Sequence, residues 1–78
     1  MSRGSDLAGA VRRALERYFR DLEGEKPTAI YDMVMKNVEK PVLETVLAKA
    51  GGNLTLAAAM LGIDRNTLRK KLQQHRIK

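Results

Sequence analysis

The chain of 78 residues contains no cysteine, no tryptophan and a single histidine. Without cysteine there is no disulfide, and one histidine is too few for a structural zinc site built on cysteine and histidine ligands. No stretch approaches the roughly 18 apolar residues of a membrane span, and the first ten residues lack the apolar segment of a signal peptide. The sequence therefore predicts a cytoplasmic protein with no membrane contact, no metal and no other cofactor.

Catalytic motifs are missing as well. The chain has no glycine-rich phosphate loop, no paired carboxylates placed for a cleft and no nucleophile motif. Its one histidine, His75, forms no triad and is expected on the surface near the chain end. We therefore predict no catalytic residue and no enzyme activity.

Positive charge is concentrated at the end of the sequence. The net charge is +6, yet residues 62–78 hold six basic residues against one acid, whereas residues 1–61 hold nine against eight. Such a basic block is typical of a protein that binds a polyanion. A solvated basic tail explains the charge equally well, and an anionic membrane surface is a weaker alternative.

Apolar residues first recur at spacings of three and four between residues 6 and 23, a pattern that predicts an amphipathic helix. Ser5 or Asp6 is the expected N-cap, and Gly24 follows the end. Residues 1–5 are predicted to form a flexible N-terminus. The apolar stripe consists of Leu7, Val11, Ala14, Leu15, Tyr18, Phe19 and Leu22.

A second, longer apolar pattern runs from its expected N-cap, Thr28, to Ala50. Pro41 lies inside it and must kink or split the helix, because proline lacks a backbone donor and clashes with the preceding turn. We favour a kink, since the apolar period continues through the proline. Two apolar rows lie side by side: Ile30, Tyr31, Val34, Val38, Val42 and Val46 in one, and Met35, Leu43 and Leu47 in the other.

One small chain cannot cover so wide an apolar surface. A symmetric partner is the simplest way to bury the remainder. We therefore predict a homodimer, with residues 6–52 as the dimerisation helices. The expected interface residues are Leu15, Tyr18, Phe19, Leu22, Val34, Val38, Val42 and Val46.

Two short helices are predicted after this region. Asn53 is a suitable N-cap for residues 54–61, and Gly62 ends that helix. Asp64 precedes a last helix, expected over residues 65–75.

These two helices meet the requirements of a helix-turn-helix. Ala58 is small enough for a close helix crossing, Gly62 supplies the turn, and Ile63 and Leu68 provide apolar anchors. Alanine-rich helical hairpins satisfy the same pattern, so the basic block is what favours DNA as the partner. Residues 53–78 are therefore predicted to form a DNA-binding unit that places its second helix in the major groove.

Side-chain chemistry distinguishes candidate DNA contacts on this second helix. Arg65 and Arg69 are the best candidates for base contact, because arginine can donate two hydrogen bonds to guanine. Asn66 lies on the same outward face. Lys70 and Lys71 are assigned to phosphate, where lysine acts as a point charge.

At the start of the first short helix, Asn53 and Thr55 can offer side-chain donors and free backbone amides to a phosphate. Plain N-capping explains Asn53 equally well. The two roles are compatible.

Four segments closely resemble the Fis family of bacterial nucleoid proteins, named from factor for inversion stimulation. They are GGNLTLAA at 51–58, LGIDRNTLRKKL at 61–72, ALERYF at 14–19 and VEKPVL at 38–43, so the likeness extends over about residues 7–78. The resemblance implies an all-α fold with four helices per chain and a C-terminal helix-turn-helix. It further implies an intertwined homodimer whose second helix is kinked at its proline.

The resemblance also implies a function. Fis proteins are DNA-bending transcriptional regulators of the nucleoid, and RNA polymerase is a further candidate partner. Their two recognition helices lie closer together than one turn of DNA, so part of the specificity rests on DNA deformability. Residues matching Arg65 and Arg69 reach bases in the family, while those matching Asn53, Thr55, Thr67, Lys70 and Lys71 are expected near phosphates.

Two departures from the family pattern stand out. Asp64 occupies a position usually held by asparagine, and a carboxylate there repels phosphate. It can serve as an N-cap, or as a base contact that accepts from cytosine. Secondly, only about six residues precede the first predicted helix, which argues against the recombinase contact made by the N-terminal arm of well-known members.

Two other functions remain open from the sequence. The DNA-binding end of a nitrogen-regulator type enhancer-binding activator shares this helix-turn-helix, although the initial methionine and compact length favour a free-standing protein. A dimeric interaction module, whose basic tail meets acidic proteins or RNA, is the other alternative.

Overall fold

The computed structural model of this chain describes residues 3–77. Four helices follow one another: α1 (Arg3–Asp21), α2 (Ile30–Lys49), α3 (Leu54–Leu61) and α4 (Arg65–Gln74). No strand occurs between residues 3 and 77. The predicted all-α class with four helices per chain is thus confirmed. The chain divides into two compact units, Met1–Ile30 and Tyr31–Lys78.

Helix α1 starts and ends earlier than its apolar pattern predicted. It begins at Arg3, so residues 3–5 are helical rather than flexible, and the prediction for residues 1 and 2 lies outside the described residues. The expectation that Ser5 or Asp6 caps the helix is wrong, because both lie inside it. Asp6 is instead an acid in the first turn, where the helix dipole stabilises negative charge.

Helix α2 is a single helix that runs through Pro41. The alternative of a split helix is therefore wrong. Proline has no N–H to donate, so the Asn37 carbonyl loses its usual partner four residues on. Ala29, with a left-handed φ of 52°, separates the helix from Thr28, so the predicted cap lies one residue too far from the first turn.

The core of the second unit is formed by the end of α2 together with α3 and α4. Leucines supply its bulk, while alanines on α3 allow the helices to approach closely. Leu68 is 0% exposed at its centre. The buried residues are Leu43, Ala50, Ala57, Ala58, Leu68 and Leu72, and those packed around them are Val46, Leu47, Leu54, Leu61, Ile63 and Ile77.

Three helices end in the same way, with a backbone bond that reaches back five residues, as in a Schellman motif. The bonds run from Gly52 N to Leu47 O, from Ile63 N to Ala58 O and from Ile77 N to Leu72 O, at 3.0, 3.1 and 2.9 Å. Each motif turns the chain at a residue with a left-handed φ, which is Gly51, Gly62 or Arg76. Two of them thereby bring Ile63 and Ile77 back onto the core.

Across the described residues, no helix is both long and apolar enough to span a membrane.

Candidate nucleic-acid interface

The start of α3 is held by Asn53. Its backbone is extended, at φ −78° and ψ 108°, and its Oδ1 accepts a hydrogen bond from the Leu56 N–H over 3.0 Å. The predicted N-cap is confirmed. Because the side-chain amide nitrogen is not needed for this bond, Asn53 can cap the helix and still donate outward. Thr55 is exposed in the first turn beside it.

The turn between α3 and α4 depends on a left-handed residue, Gly62, at φ 74°. Its N–H donates to the carbonyls of Ala58 at 2.9 Å and Ala59 at 3.2 Å. A side chain is rarely tolerated at this φ, which explains why glycine occupies the turn.

Asp64 then caps α4. Its backbone is extended, at φ −70° and ψ 146°, and its Oδ2 accepts from the Asn66 N–H over 2.9 Å. Two roles were left open for Asp64, and the structure shows the N-cap. Contact with cytosine stays a prediction.

Helix α4 has an apolar inner face and a basic outer face. Leu68 and Leu72 are buried at 0% and 7% exposure, and α4 packs on α3 through this side. Within Arg65–Gln74 there is no acidic residue. The exposed side chains of the helix are Arg65, Asn66, Thr67, Arg69, Lys70, Gln73 and Gln74, which include every predicted contact on α4 except Lys71.

Lys71 instead contacts α2. Its Nζ lies 2.8 Å from Oε2 of Glu39, and the other carboxylate oxygen, Oε1, lies 2.8 Å from Nε2 of His75. The side chains of Glu39, Lys71 and His75 are 28%, 33% and 11% exposed. His75 is thus largely buried, and the expectation that it is a surface residue is wrong.

The two bonds to Glu39 also affect its ionisation. The hydrogen bond from Lys71, followed by that from His75, lowers the pKa of the Glu39 carboxyl below its ordinary value, and partial burial opposes this only in part. We call these three residues the Glu39 cluster. Sequence reasoning missed Glu39 because its partners lie 32 and 36 positions away, where no local pattern could indicate them.

The residues predicted for the dimer interface are incompletely covered by their own chain. Phe19 is 49% exposed and Val42 is 40% exposed, and on α1 no side chain from residue 6 to 21 is buried. Val46 packs partly against the core of the second unit. The remaining members, Leu15, Tyr18, Leu22, Val34 and Val38, are half-buried.

No group of three or more histidine, cysteine or carboxylate side chains that could hold a metal ion occurs in the part of the chain that the structure describes.

The geometry of residues 53–77 defines the class of protein. Two short capped helices joined at a left-handed glycine, the second with an apolar inner face and a basic outer face, form a helix-turn-helix. The chain belongs to the Fis family: the family described as "Bacterial regulatory protein, Fis family" matches residues 34–75. The resemblance inferred from the sequence is confirmed.

Curated relatives agree with this assignment. A protein of Ralstonia nicotianae, described as Fis-like and DNA-binding, is 55% identical over 96% of both chains. A protein of Neisseria meningitidis serogroup A with the same description is 53% identical over 90% of this chain and 89% of its own. DNA-binding protein Fis of Actinobacillus succinogenes is 46% identical, over 88% of this chain and 70% of its own.

Proposed function

We propose that this chain is a DNA-binding protein that acts as a homodimer, bends double-stranded DNA and regulates transcription. The observation that carries the proposal is the basic outer face of α4, which presents Arg65, Arg69 and Lys70 to solvent with no acid in the helix. A phosphate backbone is the partner that such a face fits best, because each neutralised phosphate releases condensed counterions.

The proposal assigns base reading to α4. Arg65 and Arg69 are long, exposed and able to donate two hydrogen bonds to guanine O6 and N7. Asn66 follows Arg65 in the first turn, which recognition helices direct at base edges. Asp64 is retained as a candidate base contact through the carboxylate oxygen that its capping bond does not use.

Phosphate contacts are assigned to both helices. Asn53 and Thr55 stand at the start of α3, where free backbone amides and the positive end of the helix dipole favour an anion. Thr67 and Lys70 are exposed on α4. Lys71, which the sequence also assigned to phosphate, already has a carboxylate partner in Glu39.

Dimerisation is supported by apolar surface that one chain leaves uncovered. Half-exposed side chains such as Phe19 and Val42 lie on long helices, and a chain of 78 residues has a limited core of its own. In a two-fold dimer the same surfaces meet each other. Two recognition helices held at a fixed distance would then impose a bend on DNA whenever that distance differs from one helical turn.

Titration of a fluorescent duplex at several salt concentrations tests the proposal. We expect duplex binding that weakens steeply with salt, and anomalous migration of the complex when the binding site lies at the centre of a longer fragment, because the DNA is bent. Intrinsically curved duplexes should bind more tightly than straight ones, since less bending energy is required.

A structured RNA of equal length and charge is the matched control. Equal affinity for the RNA and the duplex would refute the proposal and favour a general polyanion or protein-interaction module. Duplex binding without a bend would leave DNA recognition intact and refute the bending.

A further inference from the structure

The Glu39 cluster joins α2 to the C-terminal half of the recognition helix. Both oxygens of one carboxylate are used, each at 2.8 Å. The two partners are Lys71 in the last turn of α4 and its C-cap, His75. All three side chains are at least two-thirds covered. A contact of this kind is stronger than an exposed ion pair, because it is partly shielded from water and binds through two charge-assisted or polar bonds.

The cluster lies on the side of α4 that faces away from the base-reading arginine. At about 100° per residue, Lys71 is roughly 160° around the helix from Arg69. Lys71 therefore contacts α2 while Arg69 stays exposed. The two residues belong to opposite sides of one helix.

Charge compensation changes what Lys71 contributes to DNA binding. The negative charge of Glu39 lies against its ammonium group, so the pair adds no net charge to the protein surface. A lysine that is already neutralised by a carboxylate displaces no condensed counterion from a DNA phosphate unless its bond to the carboxylate breaks.

We propose that Glu39 is a positioning residue for DNA recognition: it fixes the rotation of α4 about its own axis through Lys71 and His75, and Lys71 acts as an anchor to α2 rather than as a phosphate contact. The inference rests on the proposed DNA-binding function. Leu68 and Leu72 fix the depth at which α4 packs. The Glu39 cluster adds a polar contact to one side, and this contact determines where Arg65 and Arg69 point.

The first test is a charge-balanced double variant, Glu39→Gln with Lys71→Met, measured by the salt dependence of binding to a random-sequence duplex. The substitutions remove one negative and one positive charge, so the slope of log affinity against log salt should equal that of the wild type. Lys70→Met is the control and should reduce the slope by roughly 1 per subunit. A reduction in the double variant as large as that in the control would overturn the proposal.

The second test measures specificity. The best duplex selected by the wild-type protein from a random pool is compared with a random duplex, and the ratio of the two affinities is determined for Glu39→Gln. We expect the ratio to fall at least fivefold, because a rotated α4 misplaces its arginines. Affinity for the random duplex should be kept or increased, since Lys71 is released.

A purely structural role for Glu39 gives a different result. Loss of folded protein lowers both affinities by the same factor and leaves their ratio unchanged, so an unchanged ratio would refute the positioning role. Glu39→Asp provides a second variant if Glu39→Gln folds poorly. It keeps the charge but shortens the side chain, so it cannot span both partners, and the ratio should fall while the salt slope stays constant.

The same measurements distinguish failure of the proposed DNA-binding function from failure of the positioning role of Glu39. If wild-type protein does not prefer duplex DNA, the DNA-binding proposal itself fails. If the wild type binds and selects a duplex, while Glu39→Gln and Glu39→Asp keep its specificity ratio, only the positioning role is refuted.

Discussion

Two neighbouring residues on α4, Arg69 and Lys70, are both basic and exposed, yet their chemistry predicts different defects. Arg69→Ala should cost about 1–3 kcal/mol at one base position and relax the preference there, because a bidentate contact to guanine is lost. Lys70→Ala should weaken all duplexes alike, since a phosphate contact carries no sequence information. Competition assays with a panel of single-base variants of the selected duplex measure both effects. Unchanged discrimination by the Arg69 variant would refute its assignment.

Asp64 combines a structural and an electrostatic effect in one side chain. Its carboxylate caps α4, but it also places a negative charge at the start of the helix that is proposed to bind DNA. Asparagine caps a helix about as well as aspartate, so Asp64→Asn should keep the free energy of unfolding within about 0.5 kcal/mol. Binding to random duplexes should tighten by about 0.5–1 kcal/mol at low salt, because a repulsion is removed.

Asp64→Ala is the control that separates the two effects. It removes the same charge but also the cap, and should lower the free energy of unfolding by about 1 kcal/mol. Weaker binding of the Asp64→Asn variant to the selected duplex alone would show instead that the carboxylate accepts from a cytosine.

At the scale of elements, the contact between α2 and α4 makes stability depend on pH. Lys71 and His75 hold the pKa of the Glu39 carboxyl below its ordinary value of 4.5, so the folded state binds its proton less readily than the unfolded chain. A group with a depressed pKa contributes stability above the unfolded value, and this contribution is lost as the pH falls through the folded value.

Urea unfolding of the wild type and Glu39→Gln between pH 7 and pH 3 measures this dependence. The wild type should be more stable by about 1 kcal/mol at neutral pH, a value suited to a partly exposed charged contact. The difference should shrink as the pH falls below 4.5, because the Glu39 carboxylate is then protonated in the unfolded chain and, at lower pH, in the folded state. A difference that grows on acidification would contradict the assignment.

Local signals made the α3–α4 unit predictable, while long-range contacts did not appear in the sequence pattern. Asn53, Gly62 and Asp64 each act on backbone groups within four residues, so residue type and spacing were sufficient to predict their roles. Glu39 acts on residues more than thirty positions away. Its surroundings in the sequence are those of any glutamate on a helix.

The errors at the helix starts have a related cause. Asp6 has the residue type of an N-cap but lies in the first turn of α1, and both positions favour an acid for the same electrostatic reason. At Pro41, backbone chemistry allowed either a kink within one helix or a split into two. Packing beyond the proline, where Leu43 is 2% exposed, favours the continuous helix that is observed.

At the scale of the whole molecule, charge and apolar surface are divided along the chain. The basic excess belongs to residues 62–78, whereas Phe19 on α1 and Met35 and Val42 on α2 expose large apolar side chains. A surface that attracts DNA and a surface that attracts a second copy therefore occupy different parts of the sequence. Substitutions can test one without altering the other.

Phe19→Asp should dissociate the proposed dimer, because an unpaired carboxylate in an apolar interface costs several kcal/mol of association free energy. Sedimentation velocity should show a dimer for the wild type and a monomer for the variant. Since a dimer is stabilised by mass action, the melting temperature of the wild type should rise with protein concentration, whereas that of the variant should not.

Ala10→Asp is the matched control, since it introduces the same charge at an exposed position on α1 outside the apolar stripe. It should leave the sedimentation coefficient unchanged.

A wild type that sediments as a monomer at micromolar concentration would refute the dimer. A Phe19→Asp variant that stays dimeric and bends DNA would place the interface elsewhere, on the apolar residues of α2 alone. If instead the variant binds DNA as a monomer, its slope of log affinity against log salt should fall to about half that of the wild type. A monomer contacts the phosphates with one helix-turn-helix, whereas a dimer contacts them with two.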